Sequence, residues 1–282
     1  MSTHKALFGS RFAAGFGKAW LVGGFAFLYL PMLTLIIFSF NKSPLPSVWG
    51  GFTLEWYQKL AGDGEILAGL WLSLKIAFWS ATLSVVFGTL AAFAMVKYRR
   101  FFGRTLFTGM VNAPLVMPEV IQGLSLLLML VAIQKAIGFP ERGFLTILLG
   151  HLVLGLSYAA VVVSARLQEL NPQLEEAAMV DGCTRLGAFL RVVLPLSLPG
   201  LITVAIFSFL LSWTDYTFAL IMIGSDANKT LPVGLASMVG SFDLRWGEIM
   251  AGSTLIALPL FAAFALLTQY FIQGLGAGAV KG

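Results

Sequence analysis

An all-α fold of six membrane-spanning helices is what this sequence predicts, and three observations predict it. Of 282 residues, 58% are hydrophobic and only 11% charged, with mean hydropathy +0.88, whereas a soluble domain carries about 25% charge. Six apolar stretches each reach the roughly 20 residues that a bilayer core requires. The charges are gathered into the segments between those stretches. The net charge of +5 and pI near 9.4 would suit a nucleic-acid partner, but the placement of the bases gives them another meaning.

Residues 1–18 scatter Lys5, Arg11 and Lys18 among small residues and phenylalanines. Trp20 to Phe40 is almost wholly apolar. It is too long for a signal peptide and no A-x-A cleavage site follows, so it reads as a retained first span. Asn41 to Glu65 is polar and rich in Pro and Gly, with Trp49, Trp56 and Tyr57 suited to an interface. Ile66 to Val96 is the second span, long enough to tilt, with Lys75 placed to snorkel. Lys97, Arg99, Arg100 and Arg104 form a basic turn. The third span is expected from about Thr105 to Ile133 and the fourth from Gly143 to Ser164. A fifth covers Leu198 to Ile223 and a sixth Trp246 to Ile272, with the longer polar loop Gly224 to Arg245 between them. The chain is thus expected to comprise a terminal segment 1–19, one six-span domain 20–272, and a tail 273–282.

Six spans put both termini on one side. That side holds eleven of the 18 Lys and Arg: Lys5, Arg11, Lys18, Lys97, Arg99, Arg100, Arg104, Arg166, Arg185, Arg191 and Lys281. The opposite loops hold six: Lys42, Lys59, Lys135, Arg142, Lys229 and Arg245. Cytoplasmic loops carry the Lys/Arg excess, so the termini are expected in the cytoplasm. The basic pI is therefore an orientation signal.

Two features inside the spans stand out. In Ala113-Pro114-Leu115-Val116-Met117-Pro118-Glu119, two prolines four apart remove helical hydrogen bonds and should bend or interrupt the third span. The freed carbonyls suit a wall buried in protein or lining a watery cavity, from which Glu119 would be reachable. The alternative is a packing kink with Glu119 at the membrane edge. In Leu211-Ser212-Trp213-Thr214-Asp215-Tyr216, an acid near a span's centre costs about 2.5–3.5 kcal/mol to insert, so Asp215 is expected to face the interior. Trp213 and Tyr216 beside it offer aromatic faces that attract an alkylammonium or stack on a sugar ring. The alternative there is helix packing, with Asp215 bonded to a neighbouring subunit.

Asn171 to Gly200, NPQLEEAAMVDGCTRLGAFLRVVLPLSLPG, is the longest polar-containing interruption between hydrophobic stretches. Pro172 falls near the start of a helical run and Gly182 where that run should stop. A second run from Thr184 to Leu194 ends at Pro195. This reads as helix, sharp turn, helix, with Ala177, Ala178, Leu186 and Phe189 on a face apolar enough to press into a partner. The lone Cys183 can form no internal disulfide and matches no metal spacing.

Glu176-Ala177-Ala178, then Gly182, then Val192-Val193-Leu194-Pro195 resembles the Glu-Ala-Ala loop of binding-protein-dependent ABC importer permeases. The resemblance implies a coupling loop over 165–198 that docks on a cytoplasmic ATPase dimer. Glu175, Glu176, Ala177, Ala178, Asp181, Gly182 and Arg185 are the coupling residues it implies. Over residues 29–200, segments such as APLVMPEVIQGLSLLL (113–128) and ARLQELNPQLEEAAM (165–179) look like the putrescine/spermidine branch. From about Phe207, SWTDYTFAL (212–220), KTLPVGLASMVG (229–240) and GLGAGAVKG (274–282) look like the maltose-type carbohydrate branch. The polyamine branch usually carries two adjacent acids in the fifth span; here Thr214 takes the first place. A polyamine cargo is the leading expectation, a carbohydrate the alternative.

The resemblance further implies a second permease subunit, of different sequence in a heterodimer, a soluble extracytoplasmic binding protein touching loops 41–65 and 224–245, and a location in the bacterial inner membrane. The substrate path would pass Asp215, Trp213, Tyr216, Glu119 and Pro118. No cofactor, metal or catalytic residue is expected, since the G-x-x-x-x-G-K-[ST] phosphate loop is missing and ATP would be hydrolysed by a separate subunit. An ion-driven carrier would show a relay of ionisable groups and paired broken helices, and neither is read here. A serine hydrolase built on Ser125 or Ser157 with His151 lacks the G-x-S-x-G elbow; His151 reads as a hydrogen-bonded structural residue. A membrane scaffold that only recruits a partner is the non-transport alternative.

Overall fold

A computed structural model describes residues 3–98, 100–224, 229–239 and 245–279, with side chains described from residue 15 to 265. Arg99, residues 225–228 and 240–244, Lys281 and the end of the GLGAGAVKG tail lie outside the described residues. Among the described residues five helices are long and apolar enough to cross a membrane, or six when one bent pair is taken as a single span. The second helix of that pair, Leu198–Thr214, lies in the expected fifth span, so the order of the spans agrees with the sequence expectation.

The chain divides into two compact units, Met1–Gly62 with Met238–Leu255, and Asp63–Ser237 with Ile256–Gly282. In the first, α1 (Thr3–Phe38) leads into a loop organised by Asn41. The Asn41 side chain donates to Val48 O at 2.8 Å and accepts from Gly50 N at 2.7 Å. The Asn41 backbone carbonyl receives the Trp56 indole N–H at 2.7 Å, so the tryptophan is buried rather than free at an interface. Trp56 opens α2 (Glu55–Gly62). A Cβ on Gly247, in the first turn of α13 (Trp246–Ala279), would lie 2.2 Å from the Trp56 ring; only glycine fits there.

The second unit is built on α3 (Gly64–Lys97) and α6 (Phe144–Glu169). Asp63 caps α3 by accepting from Glu65 N and Ile66 N, the standard device for orphan N–H groups. Gly88 lets the two helices touch backbone to backbone: a Cβ there would sit 2.3 Å from Ala159 Cβ. α10 (Leu198–Thr214) lies against both, with Ser212 donating to Ser80 at 2.9 Å. Ala92, Ala159, Val163, Phe189 and Val204 make the core at one end. Ile76, Ile147, Phe218 and Met222 make it toward the other.

The third span differs from the expected 105–133. α4 (Arg104–Asn112) runs into a 3-10 turn at Ala113–Leu115, the chain extends at Pro118 (ψ 133°), and α5 restarts at Glu119–Ile137. Pro114 and Pro118 cause this: each lacks an N–H, and Met117 before Pro118 is steered away from helical backbone. The fifth span is also broken, against the expectation of unbroken pairs. α10 stops at Thr214, Asp215 is extended (φ −68°, ψ 135°), and α11 covers Thr217–Met222. The chain therefore does have paired broken helices. The second break was hidden because an aspartate capping a new helix mid-span leaves no Pro or Gly to mark it. α12 (Leu231–Ser237) comes next, tied to α3 by Ser73, whose hydroxyl accepts from Leu231 N at 2.8 Å.

Candidate functional site

The segment between the fourth and fifth spans forms a helix–turn–helix. Asn171 caps α7 (Pro172–Val180) by accepting from Gln173 N at 3.0 Å. Gly182 adopts φ +92°, a left-handed backbone that side chains disfavour. Thr184 caps the second arm through Gly187 N at 3.1 Å. That arm is α8 (Arg185–Ala188), a π turn at Phe189–Val193, and α9 (Leu194–Leu196). It runs through Pro195 rather than ending there. The π turn puts the proline into the first turn of α9, where a missing N–H costs least. A 70° bend then leads into α10.

The apolar face differs from the expected set. Ala178 and Phe189 turn inward and are buried, whereas Ala177 and Leu186 are exposed along with Val180 at 87%. Buried Phe189 packs on Phe93 of α3 with ring centroids 4.5 Å apart. The two adjacent glutamates separate. Glu175 forms an ion pair with Lys97 in the last turn of α3, while Glu176, Asp181 and Arg185 are exposed. A groove of about 300 Å³ is lined by Lys97, Tyr98, Glu175, Glu176, Met179 and Arg185.

The second group of residues lies where the fifth span breaks. Asp215 accepts from Phe218 N at 3.3 Å and Ala219 N at 2.9 Å, capping α11. Its Oδ2 is 3.2 Å from Nε2 of His151, a side chain 2% exposed on α6. The approach is within ion-pair range but not aligned as a hydrogen bond. His151 Nδ1 lies 2.8 Å from Ile147 O. A carbonyl only accepts, so Nδ1 carries the proton. Trp213 is buried, its indole donating to Ile256 O at 2.9 Å; its face is not open to a ligand. Tyr216 is 44% exposed.

Pro118 and Glu119 are exposed at the other break. One turn into α5, buried Gln122 has a carbonyl oxygen without a partner among the described residues. The helices that restart after the two breaks pack together: a Cβ on Gly123 of α5 would lie 2.9 Å from Ile221 of α11.

Sequence reasoning missed the Lys97–Glu175 contact, between residues 78 apart with no local pattern to join them. It treated His151 as structural, which its bond to Ile147 supports, but overlooked that this buried imidazole and the acid Asp215 meet inside apolar spans.

The family described as binding-protein-dependent transport system inner membrane component matches residues 84–276. The chain belongs to this family. It is 45% identical over 240 residues to the putrescine transport system permease protein PotI of Escherichia coli (strain K12), covering 84% of this chain and 83% of that one. It is 33% identical over 226 residues to the spermidine/putrescine transport system permease protein PotC of the same strain, covering 78% and 82%. The crystal structure of a bacterial ABC transporter involved in the import of the acidic polysaccharide alginate shares the fold, with TM-score 0.73 at 16% identity over 93% of this chain and 98% of that one. The protein is an ABC importer permease, multi-pass in the inner membrane. The match to PotI is longer than the stretch 29–200 on which the polyamine likeness rested.

Proposed function

We propose that this permease moves a polyamine, of the putrescine or spermidine class, delivered by a soluble binding protein. The observation that carries the substrate class is the 45% identity to a putrescine permease over 84% of the chain. Asp215 gives that reading a chemical basis. It is a carboxylate at a break in an apolar span, and its side chain remains 12% exposed. An alkylammonium arriving there meets the acid and the open ring of Tyr216, a pairing of charge and aromatic face that favours cations. Glu119, following Pro118 at the neighbouring break, supplies a second acid for a diamine. Trp213 acts from behind, fixing the end of α10 through its bond to Ile256.

The termini and the bend at 165–198 face the cytoplasm, and the single permease domain is 20–272 with short segments 1–19 and 273–282 on either side. The bend engages one subunit of an ATPase dimer. Exposed Ala177, Leu186 and the polar Glu176, Asp181 and Arg185 meet the ATPase groove, Gly182 sets the angle, and buried Ala178 holds α7 in place. A second permease completes a heterodimer, and the binding protein docks on the loops 41–65 and 224–245. ATP hydrolysis takes place in the partner. When the ATPases close, the bend is displaced and the path past Asp215 opens to the binding protein.

The test is co-purification with the sister permease, ATPase and binding protein, followed by uptake into liposomes of putrescine, spermidine and maltose. ATP-dependent uptake of the amines alone is expected. Uptake of maltose alone would overturn the substrate class, and hydrolysis without uptake of any solute would favour the scaffold.

A further inference from the structure

Two side chains on one face of α3 hold the two arms of the bend. Phe93 and Lys97 are four residues apart, hence neighbours on the helix surface. Phe93 packs on Phe189 of the second arm, and Lys97 pairs with Glu175 in the first turn of α7. The ion pair is sheltered, its side chains 29% and 15% exposed. Further along α3, Gly88 abuts α6 and Ser80 bonds Ser212 of α10, three residues before Asp215. The bend is thus joined by direct contacts to the helix that carries the break.

We propose that Lys97 and Glu175 form a strut that passes displacement of α7 into α3, so that of the two adjacent glutamates only Glu176 is left for the ATPase. This rests on the reading of α7 as the docking element. Glu175 is a positioning residue: it touches neither solute nor motor. Phe189 grips the second arm. The ion pair fixes the first arm to the same helix, so the two arms and α3 move as one body.

The test uses the whole importer with its ATPase in liposomes, the permease carrying spin labels at exposed Leu90 of α3 and Leu128 of α5 in a Cys183→Ser background. Binding of a non-hydrolysable ATP analogue is expected to shift the distance between the labels. Lys97→Gln and Glu175→Gln should abolish that shift while the ATPase still co-purifies, and Lys97→Arg should keep it. The exchange Lys97→Glu with Glu175→Lys should restore it, which a general folding defect would not permit. Solute moved per ATP should fall about fivefold or more in the single variants, the low end of ordinary coupling energies. An unchanged shift in Lys97→Gln, no shift in the unmutated protein, or loss of the ATPase from Glu175→Gln would each overturn the strut. If instead Glu176→Gln and Gly182→Val both leave the ATPase bound and the shift intact, the docking reading itself fails.

Discussion

Replacing Asp215 with asparagine separates the two tasks its carboxylate can perform. The hydrogen bond from Ala219 N at 2.9 Å needs only one oxygen, which asparagine retains. That oxygen is Oδ2, which also faces His151 Nε2 at 3.2 Å; with the asparagine carbonyl there, the amide N–H₂ takes the Oδ1 place and the longer bond from Phe218 N at 3.3 Å is lost. The shorter of the two capping bonds is therefore kept, and the variant should still reach the membrane. Asp215→Ala loses the cap as well, at about 0.5–2 kcal/mol, and should yield less folded protein. The negative charge is the one property asparagine cannot replace. A hydrogen bond to a charged partner is worth about 1.5–3 kcal/mol, and about 1.4 kcal/mol is a tenfold change in rate, so uptake of a polyamine should fall roughly ten- to a hundredfold. Uptake of a neutral solute would be little affected. The assay is initial uptake of labelled putrescine by liposomes containing equal amounts of folded importer. Amine uptake within about twofold of the parent protein, too small a change for the loss of a charged contact, would refute this reasoning and leave Asp215 as a helix cap alone.

Gly182→Val forces a branched side chain onto φ +92°, at about 1–3 kcal/mol of local strain. ATP hydrolysis should then proceed without uptake while the protein stays in the membrane, read as solute moved per ATP. Gly88→Ala puts a methyl 2.3 Å from Ala159 Cβ and 3.1 Å from the Ala160 backbone nitrogen. Neither can swing aside, so the detergent-solubilised permease should lose about 1–3 kcal/mol, seen as a lowered Tm. His151→Leu removes the polar ring that faces Asp215 Oδ2 at 3.2 Å, and stripping a sheltered polar group of its partner costs about 1–3 kcal/mol. Adding Asp215→Asn should recover part of that loss, and a double variant less stable than His151→Leu would refute the pairing.

The order of spans and the helix–turn–helix were legible because each arises from local pattern. Long apolar runs, Pro172 at a helix start and Gly182 at its stop carry their meaning within a few residues. The break in the third span was legible for the same reason, since prolines announce themselves. The break in the fifth was not, because Asp215 caps α11 with an ordinary backbone and its purpose appears only when Phe218 and Ala219 are seen beneath it. Sequence likewise offered Trp213 as an open aromatic face. Its indole N–H needs an acceptor in an apolar setting, and the carbonyl of Ile256 from another helix takes that role. The parting of Leu186, which faces outward, from Phe189, which turns inward, follows from Phe93 of α3, which Phe189 meets. The π turn that starts at Phe189 changes the angular step per residue, so a helical wheel drawn with the usual 3.6 period misplaces the side chains there and beyond.

That turn also bears on how this segment can vary among kindred proteins. A π turn accommodates one residue more than the α-helical turn it replaces, so Phe189–Val193 is a place where chain length can change by a single position without rotating the helices on either side. Homologues lacking the widened turn should be one amino acid shorter between Ala188 and Leu194, while their inward and outward positions before and after the gap stay in register with these.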